Sequence, residues 1–261
     1  MNEKIKKFFT KYGMIFLILI PIFFSIFFRM YPSSLPVTDQ WAESQVNGFY
    51  KQQVQADIAK QYPNLPTLQF NNLVEQKFNE YLKQNKDLIE QQKFDTSQQF
   101  KKEFKDKNGN TYLLAIDPYT FYRQTENLVE TGHAYDELKN GKPWNTHVVA
   151  PDGKPMKNKP DAHVLFQYYM YKVVSFFNKD VELMAVIFFM PILISMLSVI
   201  PAFFITRKIA GNVGAIVASI VVGIHPVFLG RTPGGFADTD AYNVFFPLYI
   251  LWFCISNVYR T

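Results

Sequence analysis

Four long stretches without any Asp, Glu, Lys or Arg constrain this chain more than any other feature. They contain 17, 24, 22 and 19 residues and cover residues 12–28, 183–206, 209–230 and 241–259. A helix needs about 20 apolar residues to cross a bilayer, and each stretch reaches or approaches that length. A soluble globular enzyme is therefore excluded as the main interpretation. The sequence predicts an all-α polytopic membrane protein with four transmembrane helices.

The distribution of charge predicts the orientation of these helices. Basic residues before a first span set orientation rather than bind a polyanion, so the net charge of +5 requires no nucleic-acid partner. Four lysines precede the first stretch: Lys4, Lys6, Lys7 and Lys11. With these lysines in the cytoplasm, the second span brings Arg207 and Lys208 inside, and the fourth brings Arg260 inside. We therefore expect an integral protein of the cell membrane, with a cytoplasmic N-terminus and an active site on the external face.

This topology divides the chain into three parts. Residues 1–30 form the basic tail and the first transmembrane helix, residues 31–182 form a large external loop, and residues 183–261 contain the remaining helices. In the loop, the apolar segment 164–177 is too short to span and contains Lys172. It is therefore predicted to be an interfacial helix.

The first half of the external loop is predicted to be helical. Residues 39–105 are rich in Gln, Lys and Glu, and two prolines near residue 64 divide them. Residues 107–110 have the composition of a turn, and residues 111–116 are a candidate short strand. This first half is interpreted as a helical cap that is exposed to solvent.

Two acidic motifs lie in the predicted external segments. The first contains Asp117 before a proline, and the second is residues 231–240, Arg-Thr-Pro-Gly-Gly-Phe-Ala-Asp-Thr-Asp. Helix capping explains part of this pattern. Asp117 would cap a helix that Gly132 closes. Asp240 would likewise cap the last helix, with Asp238 favourable at the positive end of its dipole.

Capping does not explain the glycine pair, Gly234 and Gly235. Two glycines permit a tight backbone path that lets Asp238 and Asp240 converge. Together with Asp117 from the same side of the membrane, these carboxylates would form an oxygen-rich site suited to Mn²⁺ or Mg²⁺. Such a metal can neutralise a leaving phosphate and polarise a nucleophile.

Three basic side chains are candidates for contact with a lipid phosphate. Arg231 adds a cation to the second acidic motif. His133 is expected at the end of the helix after Asp117, where a cation is favourable. His163 precedes the interfacial helix, and its ordinary interpretation is an exposed surface residue. Contact with phosphate is the alternative for both histidines.

The order of these features resembles the catalytic subunit of oligosaccharyltransferase in its single-subunit archaeal form. The resemblance runs from the first span to the end of the chain. It is sharpest at residues 117–123, 127–132 and 231–240. It implies the helical membrane fold of the lipid-sugar-using (C-type) glycosyltransferases. The helical segment 39–105 departs from the shorter loops of the family.

The resemblance also implies a reaction and its partners. A glycan would move en bloc from a lipid-linked oligosaccharide, on a polyprenyl (dolichyl) phosphate or pyrophosphate carrier, to the Asn amide of an acceptor protein. The acceptor Asn would lie in an Asn-x-Ser/Thr sequon, and the anomeric carbon would invert. Asp117, Asp238 and Asp240 would be catalytic and would bind Mn²⁺ or Mg²⁺. The lipid bilayer is the third partner.

Two features of that family are missing from this sequence. They are a later external-loop glutamate and a C-terminal Trp-Trp-Asp-x-Gly motif that reads the sequon. The sequence therefore predicts the N-terminal portion of such an enzyme, inactive in isolation. It leaves open a second chain that carries the missing half.

Two alternatives remain at this point. Another polytopic glycosyltransferase, using a polyprenyl-phosphate monosaccharide, would also have an acidic motif in its first external loop, although the motif at Asp238 and Asp240 favours oligosaccharyl transfer. A non-enzymatic, membrane-anchored protein that binds partners would explain residues 39–105 but would leave the second acidic motif unused.

Overall fold

The computed structural model describes residues 3–258, with side chains from Gly13 onward. The side chains of the four N-terminal lysines, and Arg260 altogether, lie outside the described part. The helices are α1 (Glu3–Met30), α2 (Val37–Gln61), α3 (Thr67–Gln84), α4 (Lys86–Glu103), α5 (Ile116–Thr131), α6 (Ala162–Phe177), α7 (Leu183–Ile224), α8 (Pro226–Gly230) and α9 (Tyr242–Val258). The expectation of a mostly helical protein is confirmed.

Three helical stretches within residues 3–258 are long and apolar enough to cross a membrane. They are Gly13–Gln61, Leu183–Gly230 and Thr239–Val258. The chain also divides into two compact units. One is Leu35–Gly109, here called the three-helix bundle. The other, here called the membrane unit, contains the described residues up to Ser34 and from Asn110 onward.

The three-helix bundle consists of α2, α3 and α4 around a small apolar core. The core residues are Val46, Tyr50, Phe78 and Ile89. Val46 and Tyr50 are four residues apart and so lie on one face of α2. The predicted helices of residues 39–105, with their break near residue 64, are confirmed.

Helix α7 reverses direction at Gly211. This residue has φ 67° and ψ −167°, a conformation that only glycine adopts readily. A Cβ on Gly223 would lie 3.2 Å from Val199 Cγ2, whereas 24 residues of continuous helix extend about 36 Å. Residues 183–210 and 212–224 therefore form antiparallel limbs, called the first and second limb.

Helix α1 packs along both limbs of α7. Gly223 of the second limb allows the close approach, because a Cβ there would lie 3.4 Å from Ser25 Cβ. At the other end of α1, Arg207 Nη1 of the first limb lies 2.7 Å from Met14 Sδ. Small residues at such contacts allow helix backbones to approach closely in membrane proteins.

A small antiparallel sheet follows α5, in the order β1 (Glu137–Lys139), β2 (Lys142–Asn145) and β3 (Lys154–Pro155). β1 and β2 form a hairpin whose turn residues, Asn140 and Gly141, both have positive φ. The Asn-Gly dipeptide is the strongest short hairpin signal in a sequence. This hairpin could therefore have been predicted from the sequence. The predicted strand at residues 111–116 is wrong, because this segment instead passes to α5 and bonds to a distant loop.

The predicted helix at residues 164–177 is confirmed as α6. Its inner face buries His163, Val164 and Gln167, and α6 packs against α5 and α7. The opposite face exposes large apolar side chains at helical spacing: Tyr169, Val173, Phe176 and Phe177.

Candidate active site

The acidic loop, residues 231–240, is held on two sides by main-chain hydrogen bonds. Gly234 N–H donates to Arg29 O of α1 at 2.9 Å, and Gly235 N–H donates to Phe188 O of α7 at 2.8 Å. Both acceptors belong to membrane helices. The loop that carries the two aspartates is therefore fixed at one end of the α1–α7 pair.

The glycine pair is explained by close packing. A Cβ on Gly234 would lie 2.7 Å from the Phe188 ring and 3.2 Å from Arg29 O. A Cβ on Gly235 would lie 2.7 Å from the same ring and 2.9 Å from Leu114 Cγ, and Gly235 has φ 88°. Neither position has room for a side chain. The backbone follows the tight path inferred from sequence because α1, α7 and the residues before α5 all meet the glycine pair.

The residues that lead into Asp117 are joined to the acidic loop, and these two stretches are here called the acidic segments. Leu114 N–H donates to Gly235 O at 3.0 Å, and Asp117 and Asp238 each follow three residues later. One buried apolar cluster includes residues from both segments and from α7: Leu113, Ile187, Phe188 and Ala237. Residues that are more than 100 positions apart in sequence therefore share one anchored region.

Asp117 lies exposed in the first turn of α5. The predicted capping role is wrong: Ala115 occupies the N-cap position and α5 has no side-chain cap bond. A carboxylate in the first turn still favours the helix dipole. The predicted end of this helix is confirmed, because Gly132 follows it with φ 81° in the left-handed conformation.

The carboxylates of the acidic loop have different partners. Asp238 accepts from Thr239 N–H and caps the 3-10 turn Thr239–Ala241. Asp240 Oδ2 lies 2.7 Å from Arg231 Nε in an ion pair. Among the described residues no group of three or more His, Cys, Asp or Glu side chains has the geometry to hold a metal ion. The segments meet, but Asp117, Asp238 and Asp240 do not form one ready set of ligands.

His163 is buried, so its surface interpretation is wrong. The side chain is 4% exposed, with Nδ1 3.0 Å from the Tyr242 hydroxyl and Nε2 3.3 Å from Ala237 O. Gln167 Nε2 lies 2.9 Å from His163 Nε2. Burial lowers the pKa of His163, which favours the neutral ring. Contact with a lipid phosphate stays a prediction, and it would require the release of one of these partners.

The other two basic candidates lie nearer the surface. His133 follows the end of α5, stacks on the Tyr135 ring at 3.8 Å and has Nδ1 3.0 Å from Tyr135 O. The Arg231 guanidinium lies 5.0 Å from the centroid of the Phe236 ring, and its side chain is 60% exposed. Of the three, Arg231 is the cation that an approaching anion can reach.

Arg29 is a functional candidate that the sequence reasoning missed. It is 0% exposed, and its Nε donates to Thr232 Oγ1 at 2.9 Å. Nη1 donates to Gly223 O and to both oxygens of Ser25, and the guanidinium lies 4.7 Å from the Phe228 ring centroid. An arginine at the end of a span ordinarily extends to the interface. Here it instead ties the acidic loop to two helices.

Asp136 was also missed. It follows α5 and is 8% exposed. It accepts from Arg123, Asn127 and Thr146 at 2.8–3.2 Å, and His147 Nδ1 lies 3.3 Å away. Burial alone raises the pKa of Asp136, but the bonds from Asn127, the Thr146 N–H and His147 outweigh it and lower the pKa to about 2. No motif in the sequence marks this carboxylate, which fastens α5 to the end of β2.

These observations define a class: a helical membrane protein in which two acidic segments meet at one end of packed antiparallel helices. A family model described as "Oligosaccharyl transferase STT3, N-terminal" matches residues 88–261, about two thirds of the chain. The chain belongs to this STT3 family, and the resemblance inferred from the motifs is confirmed.

Two curated relatives carry the name dolichyl-phosphooligosaccharide-protein glycotransferase. The one from Methanocaldococcus jannaschii is 34% identical over 173 residues, and the one from Methanococcus voltae is 33% identical over 171 residues. Each match covers 64% of this chain and 18% of the relative. The chain therefore spans a small part of the length of these proteins. Asp117 and the acidic loop lie inside the family match, whereas α1, α2 and α3 precede it.

Proposed function

We propose that this chain supplies part of the active site of an oligosaccharyltransferase. The reaction transfers a glycan from a polyprenyl (dolichyl) phosphate or pyrophosphate carrier to the Asn amide of an Asn-x-Ser/Thr sequon in an acceptor protein. The observation that carries this proposal is the Leu114–Gly235 hydrogen bond, which joins the two acidic segments inside the family match. The names of the two relatives support the reaction class.

The acidic side chains are the proposed catalytic groups. An amide is a poor nucleophile, so carboxylates must polarise and orient it. Asp117 is exposed and Asp238 is half-buried, so both can present oxygen atoms to a bound group. Attack on the anomeric carbon from the side opposite the departing phosphate would invert its configuration.

The same carboxylates fit a divalent metal by the chemistry of their donor atoms. Carboxylate oxygens are the ligands that Mn²⁺ and Mg²⁺ prefer. We propose Asp117, Asp238 and Asp240 as the residues that hold the ion, which would supply charge stabilisation for the leaving phosphate. Further ligands from the part of the enzyme beyond this chain would complete the set.

Arg231 is the proposed contact for the carrier phosphate. It stands beside a groove of about 450 Å³ between the second limb, α8 and α9, lined mainly by Val221, Val222, Val227, Phe228 and Val244. An apolar groove with a cation at one end suits a prenyl chain that carries a phosphate. The ion pair with Asp240 would have to open, and a partly exposed pair contributes only about 0–1 kcal/mol.

We propose four membrane crossings with the acidic segments outside the cell membrane. Phe188, which bonds to the acidic loop, and Arg207 are 19 residues apart on the first limb, which corresponds to about 29 Å of helix and matches the ~30 Å hydrocarbon core. Arg207 and Lys208 lie at the other end of the first limb, beside the Gly211 reversal, and the positive-inside rule supports a cytoplasmic position for them. The exposed apolar face of α6 is the proposed interfacial surface.

This topology can be tested by labelling. A cysteine placed at Lys107 in a Cys254→Ser background should react with an impermeant thiol reagent from the outside of intact cells. A cysteine at Asn212, beside the reversal, should react only after the membrane is opened. The opposite pattern would invert the proposed orientation.

The activity can be tested in a chimera. Residues 110–261, which follow the three-helix bundle and lie inside the family match, would replace the corresponding segment of the Methanocaldococcus jannaschii relative. Glycan transfer to a sequon peptide would be measured. Asp238→Asn and Asp240→Asn should each reduce transfer by at least about 100-fold, the scale of one lost electrostatic group. Asp180→Asn, at an exposed acid outside the two acidic motifs, is the matched control. Near-normal turnover in the first two variants would refute the assignment.

The non-enzymatic alternative is less favoured by the structure. It leaves the second acidic motif unused, whereas the Leu114–Gly235 bond and the shared apolar cluster join that motif to the segment before Asp117. A glycosyltransferase that uses a monosaccharide carrier remains the second candidate, and replacement of the oligosaccharide donor in the chimera assay distinguishes it.

A further inference from the structure

A chain of buried polar groups connects the helix that carries Asp117 to the segment that carries the other two aspartates. The Thr125 hydroxyl of α5 lies 2.7 Å from Gln167 Oε1 of α6. Gln167 Nε2 lies 2.9 Å from His163 Nε2. The ring then reaches the Tyr242 hydroxyl and Ala237 O.

We propose that His163 is a positioning residue of the active site. It fixes residues 237–242, and with them the carboxylates of Asp238 and Asp240, relative to α5 and Asp117. This inference rests on the proposed function and adds a residue that touches neither substrate nor metal.

The contacts of the ring are on both sides of the aspartate pair. Ala237 immediately precedes Asp238, and Tyr242 is the first residue of α9, two positions after Asp240. One side chain therefore contacts both ends of the short segment that carries the two carboxylates.

Both neutral forms of the ring support this role. A neutral imidazole has one donor and one acceptor. With the proton on Nδ1, His163 donates to Tyr242 and accepts from Gln167. With the proton on Nε2, it donates to Ala237 O and accepts from Tyr242, and the Gln167 amide turns so that its oxygen faces the ring. In either form a hydrogen bond crosses from α6 to the segment with the aspartates.

Aromatic packing restrains the ring in addition to the hydrogen bonds. The Phe121 ring of α5 meets the imidazole edge to face at 4.8 Å, and the Tyr242 ring does so at 5.5 Å. Because the side chain is 4% exposed, water cannot easily replace these partners. A truncation at this position would therefore release the segment rather than rehydrate it.

Activity in the chimera gives the first test. His163→Ala should lower kcat by about 10–100-fold, the loss expected from a misplacement of about 1 Å, and change the KM for the sequon peptide by less than about twofold, because no acceptor contact is removed. His163→Gln keeps an amide donor near Ala237 O and should restore part of kcat. Val164→Ala, at a fully buried neighbour on the same helix, is the control for a purely structural loss.

The second test measures the mobility of residues 237–242 and needs no activity assay. A nitroxide spin label on Thr239→Cys, between the two aspartates, would be measured in the chain in nanodiscs in a Cys254→Ser background. His163→Ala should add a mobile component to the spectrum, and His163→Gln should reduce it. Val164→Ala should leave the spectrum unchanged even if it lowers the unfolding temperature as much as His163→Ala does.

The outcomes separate this inference from the proposed function. If Asp238→Asn abolishes transfer but His163→Ala matches Val164→Ala in kcat and in label mobility, His163 has no positioning role. If Asp238→Asn leaves transfer normal, the proposed function fails, and an unchanged mobility in His163→Ala would overturn the inference as well.

Discussion

The three-helix bundle and the membrane unit use polar side chains in opposite ways. In the bundle, charged residues pair at the surface, as Lys93 does with Glu43 and Lys101 with Asp39. In the membrane unit, Arg29 and Asp136 are buried and bind main-chain groups and neutral side chains, and Asp136 also pairs with Arg123. Surface pairs contribute little to stability, whereas buried polar groups hold irregular backbone in place. Polar contacts therefore fix irregular backbone in the membrane unit, whereas in the bundle they lie mainly at the surface.

The largest effect is expected in the closely packed acidic loop of the membrane unit. Gly235→Ala forces a side chain onto Phe188 and Leu114 at a positive φ. A strained backbone costs about 1–3 kcal/mol and overpacking about 1–3 kcal/mol, so we expect a loss of about 4 kcal/mol in the free energy of unfolding. Thermal unfolding of the chain in detergent would measure it.

Two glycines are matched controls for this substitution. A Cβ on Gly230, close to the acidic loop, or on Gly48, in α2 of the bundle, meets nothing within 4 Å. Neither alanine variant should be destabilised, and Gly48→Ala should gain up to about 1 kcal/mol from reduced backbone freedom. Equal loss at all three positions would contradict the packing explanation.

The second prediction concerns Arg29. Arg29→Met keeps much of the volume but leaves Gly223 O and the Ser25 hydroxyl without their donor, and buried groups without a partner cost about 1–3 kcal/mol each. We expect a loss of about 3 kcal/mol in thermal unfolding. Lys93→Met in the bundle should lose less than about 1 kcal/mol. Similar values for both would remove the contrast between the two units.

The third prediction uses pH. The folded pKa of Asp136 is lowered from 3.8 to about 2, and one pKa unit corresponds to about 1.4 kcal/mol. The carboxylate therefore contributes about 2 kcal/mol that is fully present above about pH 4 and is lost as the pH falls towards 2. Acid titration of stability should show this loss, and Asp136→Asn should flatten that part of the curve. An unchanged curve would show that the carboxylate is not coupled to folding.

The smallest effect is expected at the bundle surface. Lys101→Ala removes an ion pair with Asp39, whose side chain is 62% exposed. Such pairs contribute about 0–1 kcal/mol, and high salt should reduce even that difference. A loss as large as that of Arg29→Met would show that the bundle also depends on its charges.

Local patterns predicted the helices but not the contacts between them. The uncharged stretches predicted the long apolar helices and the reversal near Arg207. The apolar run at residues 164–177 predicted α6. The motifs around Asp117 and Asp238 gave the acidic segments. Each of these signals lies within one continuous piece of sequence.

The parts that were missed depend on distant residues. Arg29 meets Thr232 across 203 positions, and His163 meets Tyr242 across 79. An isolated histidine or a terminal arginine has the same local appearance whether it is buried or exposed. Helix α5 begins before Asp117 because Leu114 is fixed by Gly235, so local capping preferences did not decide its first residue.

The separation between Arg29 and its partners also sets an order of events during synthesis. Arg29 emerges 194 residues before Gly223 and 203 before Thr232, an interval of about 10–40 s at ribosomal speeds. In the proposed orientation its guanidinium lies at the outer leaflet, in contact with water and lipid headgroups, before the second limb is inserted. Arrival of the second limb removes it from that environment, so the anchor of the acidic loop is completed only after residues 212–232 have been synthesised.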